Sequence, residues 1–494
     1  MGRFALIAML SLLPLLGFAQ PDTLWSRVIG DDGGNWLSNI IQTQDNGFII
    51  AGARDDSLFD ENDDILMLKL DDQGFPYWQK RYDGGGIDVA MDIVNTADGG
   101  YLVVGFTSSF HQGGFAAYSL KTDNRGDTLW SWIDDSLTSG SKFYAVEINN
   151  NDYYLAGYKS WALGRSFFIL NLSEQGDTLW SIQLQREDLA IDEAFDLVAL
   201  PDGGSVVVGY ASDRPYFPDS RRDDAFIVRL SSERDTVWTR RIGEPGDDEA
   251  AVSVDITNSN ELLIAGTVIH LDEADPQRDF FVLKLSLEGE TIWYREYDHA
   301  GFDDYCSDAI AQPNGDVIVY GGVRDWIASG IGEQPILLKY SSDGDLLWAQ
   351  VYEAPRNFAA NSGVQLQDGG FLVSGNFDYF PELLPTNIWI MRLDNEATVR
   401  PNPNIFVPDN LFISTYPNPF NRATTISFDL THPGMVKLNV FDVTGRQVAT
   451  LINDNMTAGQ HQVLFDGSGL ASGIYFARLE AGGEMMTRKL ALVK

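Results

Sequence analysis

Hard oxygen donors stand at alternate positions in "DENDD", where Asp60, Asn62 and Asp64 have the spacing with which a loop wraps a calcium ion. No glycine follows at the sixth place and no glutamate at the twelfth, so the pattern is partial. Paired aspartates at Asp31-Asp32, Asp247-Asp248 and Asp303-Asp304 offer the same chemistry and could hold Ca²⁺; the plainer reading of each is a solvated acidic loop. A second set is aromatic and sits in polar company: Trp161, Tyr216, Phe217, Trp326, Tyr379 and Phe380. Flat apolar faces beside amides and carboxylates grip sugars or proteins, unless the rings fold inward and plug their own loops. Redox chemistry has little to work with, since Cys306, next to Tyr305, is the only cysteine and no disulfide can form within the chain. No residue is assigned a catalytic role.

These candidates lie between elements of a repeat. Seven tryptophans, Trp25, Trp78, Trp130, Trp180, Trp238, Trp293 and Trp348, fall 53, 52, 50, 58, 55 and 55 residues apart. Apolar runs closing on Gly52, Gly105, Gly157, Gly209, Gly266, Gly321 and Gly375 keep the same period, as does a third run of the type "DILMLKL". Periods of this size mark propellers or solenoids. Each unit reads as four short strands; in the first they are expected near Leu37–Thr43, Phe48–Ala53, Ile65–Leu70 and Tyr77–Tyr82. The apolar runs are continuous rather than alternating, which requires cover on both faces, as when one blade packs on the next. The expectation is an all-β, seven-bladed β-propeller of four-stranded blades.

Tight Asp/Asn-Gly turns such as "ADGG" and "DDQG" join first to second and third to fourth strands, whereas second-to-third connections are long and unlike one another. In a meander the long loops emerge on one rim, together with the links between units. Insertions on one face of a repeat scaffold point to that face as the working one. The periodic tryptophans are assigned to core or inter-blade packing. The last unit, ending at "IWIMRL", lacks a fourth strand, while "DTLWSRVIG" (Asp22 to Gly30) precedes any complete unit. That segment is expected to supply the missing outer strand and close the ring.

Residues 1–19 carry Arg3, an apolar run and small residues before Ala19, the pattern of a cleaved secretory signal peptide. No other stretch is apolar enough to span a membrane. The last 84 residues hold 7 Lys+Arg against 6 Asp+Glu, which leaves 27 against 65 before them. Such an acidic surface repels nucleic acid and favours cations or basic partners. The domain reading is 1–19 signal peptide, 20–394 propeller, 395–410 a Pro/Asn-rich linker, and 411–494 a different module.

That module carries "YPNPF" at Tyr416 to Phe420, "VKLNVFDVTGRQVATL" at Val436 to Leu451, and "LASGIYFARLEAGGEMMTRKLALVK" at the end. In this order and spacing it resembles the type A C-terminal sorting domain of type IX secretion cargo. The resemblance implies a small β-sandwich, the type IX machinery as partner, and delivery to the outer cell surface or the medium. Weaker likenesses concern the repeats. "KTDNRGDTLW" and "SSDGDLLW" resemble the Asp-boxes of sialidases, "LDDQGFPYW" the tryptophan docking repeats of quinoprotein dehydrogenases, "VIVYGG" a kelch strand, and "DYC" the Tyr–Cys of a copper oxidase. An arginine cluster, an adjacent-cysteine disulfide and clustered histidines, which those activities respectively need, are not identified.

The functional expectation is therefore a secreted or cell-surface binding module whose long-loop rim contacts glycan or protein. The alternatives are an extracellular polysaccharide- or peptide-degrading enzyme using rim carboxylates, and a surface protein without a small-molecule site.

Overall fold

The computed structural model describes residue 21 and residues 23–29, 34–55, 63–110, 114–136, 140–161, 164–184, 191–212, 223–243, 247–271, 277–299, 301–325, 332–352, 354, 358–377, 387–395, 412–416, 420–430, 434–456, 459–482 and 484–493. Among these no residue is helical. After β1 (Thr23–Ile29) the strands run in antiparallel meanders of four. The first is β2 to β5 (Gly34–Gln42, Phe48–Asp55, Asp63–Leu70, Pro76–Tyr82), and the second β6 to β9 (Asp88–Asn95, Tyr101–Thr107, Ala116–Thr122, Thr128–Ile133). The third is β10 to β13 (Ser141–Asn149, Asp152–Trp161, Gly164–Leu172, Thr178–Leu184), and the fourth β14 to β17 (Ile191–Ala199, Ser205–Ser212, Asp223–Leu230, Thr236–Ile242). The fifth is β18 to β21 (Asp247–Ile256, Glu261–His270, Arg278–Ser286, Thr291–Tyr297), and the sixth β22 to β25 (Asp303–Ala311, Val317–Asp325, Gly332–Tyr340, Leu346–Val351). β26 to β28 (Phe358–Gln365, Phe371–Phe377, Asn387–Leu393) form the seventh with β1, which pairs with β28 at the sheet edge. The third and fourth meanders touch through one parallel bridge, Arg165 to Ile191. This is a propeller-like arrangement of four-stranded sheets.

The three sequence markers each have a structural cause. The glycine that closes a second strand faces a residue beside a β-bulge in the first strand, as Gly52 faces Leu37 and Gly105 faces Ala90. The bulge turns a backbone carbonyl over the glycine: a Cβ at Gly105 would lie 2.0 Å from the Val89 oxygen, and one at Gly52 only 1.8 Å from that of Trp36. No side chain fits there.

The third strand contributes a cation to the tight turn. Lys69 Nζ reaches Asp45 at 2.9 Å, Lys121 reaches Asp98 at 2.7 Å, Arg229 reaches Asp202 at 2.7 Å and Lys284 reaches Glu261 at 2.5 Å. Lys339 meets Asp316 at 3.3 Å, and Arg392 pairs with Asp368. The third meander differs: Asn171 Nδ2 donates to the Tyr153 carbonyl, and the turn is built on Asn150 and Asn151 at φ 53° and 82°.

The fourth-strand tryptophans join one meander to the next. Trp130 Nε1 donates to the Glu174 carbonyl at 3.1 Å, Trp238 to Leu287 at 2.9 Å and Trp293 to Ser342 at 3.0 Å. Each acceptor belongs to the tight turn of the following meander. Gly176 (φ +86°) lies under Trp130, where a Cβ would come 2.7 Å from the ring. Arg234 (φ 75°) takes that turn position in the fourth meander, with its guanidinium 5.8 Å from the Trp180 ring.

Each hydrophobic cluster of this region likewise draws on two consecutive meanders, such as Ile49 and Met67 with Ile93 and Val103, or Ile318 and Leu337 with Phe371 and Trp389. Burial on both faces explains the unbroken apolar runs, since every residue of β7 is buried. The first strands β2, β6, β10, β14, β18, β22 and β26 follow one another side by side, and β26 in turn touches β2. Side chains tie them: Asn39 donates to Asp92 at 2.5 Å, Tyr144 to Glu193 at 3.2 Å, Ser253 to Asp308 at 2.7 Å, and Ser362 to Asn39 at 2.6 Å.

The chain divides into two compact units, residues 1–23 with 27–399 and residues 24–26 with 400–494. The second holds one three-stranded sheet, in the order β29 (Phe412–Tyr416), β30 (Ala423–Leu430), β33 (Gly459–Asp466). Its four-stranded sheet runs β32 (Gln447–Met456), β31 (Gly434–Asp442), β34 (Gly473–Ala481), β35 (Glu484–Leu492). Val436, Leu438 and Val440 alternate inward from β31 and share one core with Ile426, Phe428, Phe465 and Leu479.

Candidate functional site

Of the aromatic candidates, Trp161 is described. It ends β11 opposite Gly164 at the hairpin tip and is half-buried, with its indole N–H shielded from solvent and without an acceptor. Tyr216, Phe217, Trp326, Tyr379 and Phe380 lie outside the described residues, as do Asp60, Asn62, Asp31, Asp32 and Ala19. Cys306 is buried in β22 against the core that includes Val319 and Ile336, with the Asp308 carbonyl 3.8 Å from its sulfur.

The carboxylates at the long-loop rim follow a repeat register. Asp64, second residue of β4, is 1 % exposed and takes the guanidinium of Arg81, three residues after Trp78 in β5. Asp224 has the same place in β16 and meets Arg241 Nε at 2.8 Å, three residues after Trp238. In the fifth meander Asp279 has that place in β20, but the position three residues after Trp293 is Glu296, which pairs with Phe281. His270 holds Asp247 at 2.9 Å, and its Nε2 comes 3.5 Å from Glu296 and 3.9 Å from Asp279. Burial works against the His270 charge, but the bond to Asp247 and the surrounding carboxylates outweigh it and raise its pKa.

A second register position completes the group. Asp88 in the second meander lies opposite Thr107, whose hydroxyl it accepts, and its Oδ2 also takes Ser109 Oγ at 2.7 Å and the Gly84 N–H at 2.9 Å. Asp304 occupies the equivalent place in the sixth, but faces Val323, which has no donor. Its Oδ2 takes the His299 N–H at 2.5 Å, while its Oδ1 is buried with no partner. One oxygen from each of Asp279, Asp298 and Asp304 lies within 4.8 Å of the other two. Burial, eased by the His299 N–H and reinforced by Asp279, Asp298 and Asp303, pushes Asp304 up to about 8. Sequence reading singled out Asp304, paired with Asp303, as an oxygen donor; Asp279 and Asp298 were missed. The signal that could have found them is the glutamate at the arginine position after Trp293.

A third set of carboxylates lies on the first strands. Asp92 takes the Val146 N–H, Asp196 that of Val254 and Asp255 that of Ala311, each at 2.8 Å and each on the following meander. Burial, offset in part by the Ser253 and Ala309 donors and strengthened by the charges of Asp255 and Asp92, raises Asp308 to about 7. Burial, with the charges of Asp92 and Asp255, raises half-buried Glu147 to about 7 as well. Among the described residues, the three-residue group able to share an ion contains neither a histidine nor the cysteine.

Comparison with known proteins bears on the second unit. Residues 414–493 match the secretion system C-terminal sorting domain. The match supports reading the chain as type IX cargo, and the domain marks it for secretion to the cell surface. No helix among the described residues is long and apolar enough to cross a membrane. A search of curated proteins found no match. Similar solved structures include PorZ, a surface component of the type-IX secretion system of Porphyromonas gingivalis, at 12% identity and TM-score 0.40, covering 93% of this chain and 60% of that one. A fungal alcohol oxidase of the AA5 family in complex with copper shows 11% identity and TM-score 0.44 over 97% of this chain and 100% of its own. A puromycin hydrolase shows 11% identity and TM-score 0.44 over 80% and 58%. The chain spans about 60% of the length of the first of these. At such scores the likenesses carry no argument about activity.

Proposed function

We propose that the chain is an exported, seven-bladed β-propeller whose long-loop rim binds glycan or protein, delivered by a C-terminal sorting β-sandwich. In this reading residues 1–19 are a signal peptide cut after Ala19, 20–394 the propeller, 395–410 a linker and 411–494 the sorting domain. β1 is the clasp of the ring, and Trp161, Tyr216, Phe217, Trp326, Tyr379 and Phe380 are the contact residues. The observation that carries it is the unlikeness of the two rims: tight turns repeat one cation-to-carboxylate pairing, whereas the opposite rim varies from unit to unit. Two truncations test the frame. Removing residues 411–494 is expected to abolish export to the surface and medium, and unchanged export contradicts the sorting role. Removing residues 22–30 is expected to unfold the propeller in one step, read by circular dichroism; a thermal transition within about 2 °C of the parent contradicts the clasp.

One observation favours a second reading, an enzyme on polysaccharide or peptide. Burial, with the charges of Asp92 and Asp255, pushes Glu147 up to about 7, and its carboxylate takes no hydrogen bond from the described residues, which suits an acid–base group. Turnover of an oligosaccharide or peptide that falls at least 100-fold in Glu147→Gln would establish it.

A further inference from the structure

We propose that Asp279, Asp298 and Asp304 hold a divalent cation, calcium by the chemistry of its ligands, where the fifth meander passes to the sixth. The ligand set is all carboxylate, which excludes the soft metals that seek sulfur or imidazole and suits a hard ion. Calcium keeps its oxygens about 2.4 Å away, so ligands on opposite sides of the ion stand about 4.8 Å apart. Three oxygens mutually within 4.8 Å fit around one such ion.

Two observations point to the same occupant. The arginine that serves Asp64 in the first meander and Asp224 in the fourth is Glu296 in the fifth, so a negative charge stands where those two meanders place a positive one. The Thr107 hydroxyl that serves Asp88 in the second meander has no counterpart at Asp304, which faces Val323 as Glu249 of the fifth meander faces Val268, and the Oδ1 of Asp304, on a side chain 0 % exposed, is buried without a partner. A buried acceptor in that state has lost its hydration without compensation, at a greater cost when charged, and a cation removes that cost. Among the described residues no lysine or arginine pairs with Asp298 or Asp304. The ion would join the start of β20, the link after β21 and the start of β22, and so stiffen the long-loop rim. The inference rests on these residues and not on the glycan or protein reading, which would survive its failure.

The test is calcium chloride titrated into the full chain after chelator treatment, by isothermal calorimetry and by thermal unfolding. One saturable site and a raised melting temperature are expected. Asp298→Asn is the deciding variant, because Asp298 is exposed and its Oδ1 can still accept the Gly301 N–H that it holds at 2.6 Å. It should keep the calcium-free melting temperature and lose at least tenfold in calcium affinity. Asp304→Asn also removes the anchor of the His299 N–H, so its folding is a separate matter. Absence of saturable uptake, or parental affinity in Asp298→Asn, overturns the proposal.

Discussion

Asp64 in the first meander and Asp279 in the fifth stand at the same point of the same repeat, yet one is answered by Arg81, while the arginine position near the other is Glu296, with His270 within 3.9 Å of both carboxylates. The first carboxylate is paired with an arginine through one oxygen, while its Oδ1 is buried without a partner. The second is one corner of a group of three carboxylates whose most buried member is pushed up to about 8. The scaffold around them is unchanged: both meanders have the bulge, the facing glycine and the fourth-strand tryptophan. A repeat that keeps its packing while inverting one charge has separated what holds it together from what it offers to solution.

The comparison can be broken most severely at the Asp64–Arg81 pair. Arg81→Met leaves Asp64 buried without its cation, and a loss of about 3–5 kcal/mol at pH 7 is expected in urea unfolding. A loss below about 1 kcal/mol would mean that the pair is not what balances the first meander.

The first-strand carboxylates come next. Asp308 is raised from its ordinary value to about 7, so its contribution to stability is complete below about pH 4 and is lost as pH rises through 7. Asp308→Asn should therefore be more stable than the parent by about 2 kcal/mol at pH 8, with the gap closing near pH 4. Unfolding midpoints at pH 4, 6 and 8 check this; a constant gap would place the effect in packing instead.

Glu296→Arg sharpens the contrast by writing the first meander's solution into the fifth. The variant should gain about 1 kcal/mol without calcium and lose the calcium-dependent rise in melting temperature.

The smallest effect is at the tight rim. Asp98, held by Lys121 and the Thr96 hydroxyl, is partly buried, yet those donors and the Gly100 N–H outweigh that burial and bring it down to about 2. Its stabilisation is present above about pH 4 and lost as pH falls through 2. With its carboxylate substantially exposed, Asp98→Asn should cost under about 1 kcal/mol at pH 7 and nothing at pH 2.

What the sequence made legible was local. Strand positions in the first meander agree to within a few residues, because Asp/Asn-Gly turns and apolar runs act over neighbours. The outer strand supplied by β1 was also readable, since a unit short by one strand and a strand without a unit must meet. The third marker showed its lysine or arginine in plain sight, but not its partner, since Lys121 and Asp98 are brought together only by pairing β7 with β8. The spacing of Asp60, Asn62 and Asp64 gave no hint that Asp64 is held by Arg81, 17 residues on. Asp279, Asp298 and Asp304 converge from two meanders, and convergence is a property of register that linear spacing does not carry. Trp161 is placed by the β11–β12 register, whereas the other aromatic candidates, chosen from stretches of sequence that do not repeat, lie outside the described residues.

The division of labour between rims is tested most directly by binding. Residues 20–400 can be screened against glycans and proteins, in parallel with Trp161→Ala, a Tyr216→Ala/Phe217→Ala pair, and the tight-rim variant Asp98→Asn. The account predicts a ligand bound without turnover, weakened at least tenfold by the long-loop substitutions and untouched by Asp98→Asn. A ligand that is turned over, or one whose binding responds only to the tight-rim change, would contradict it.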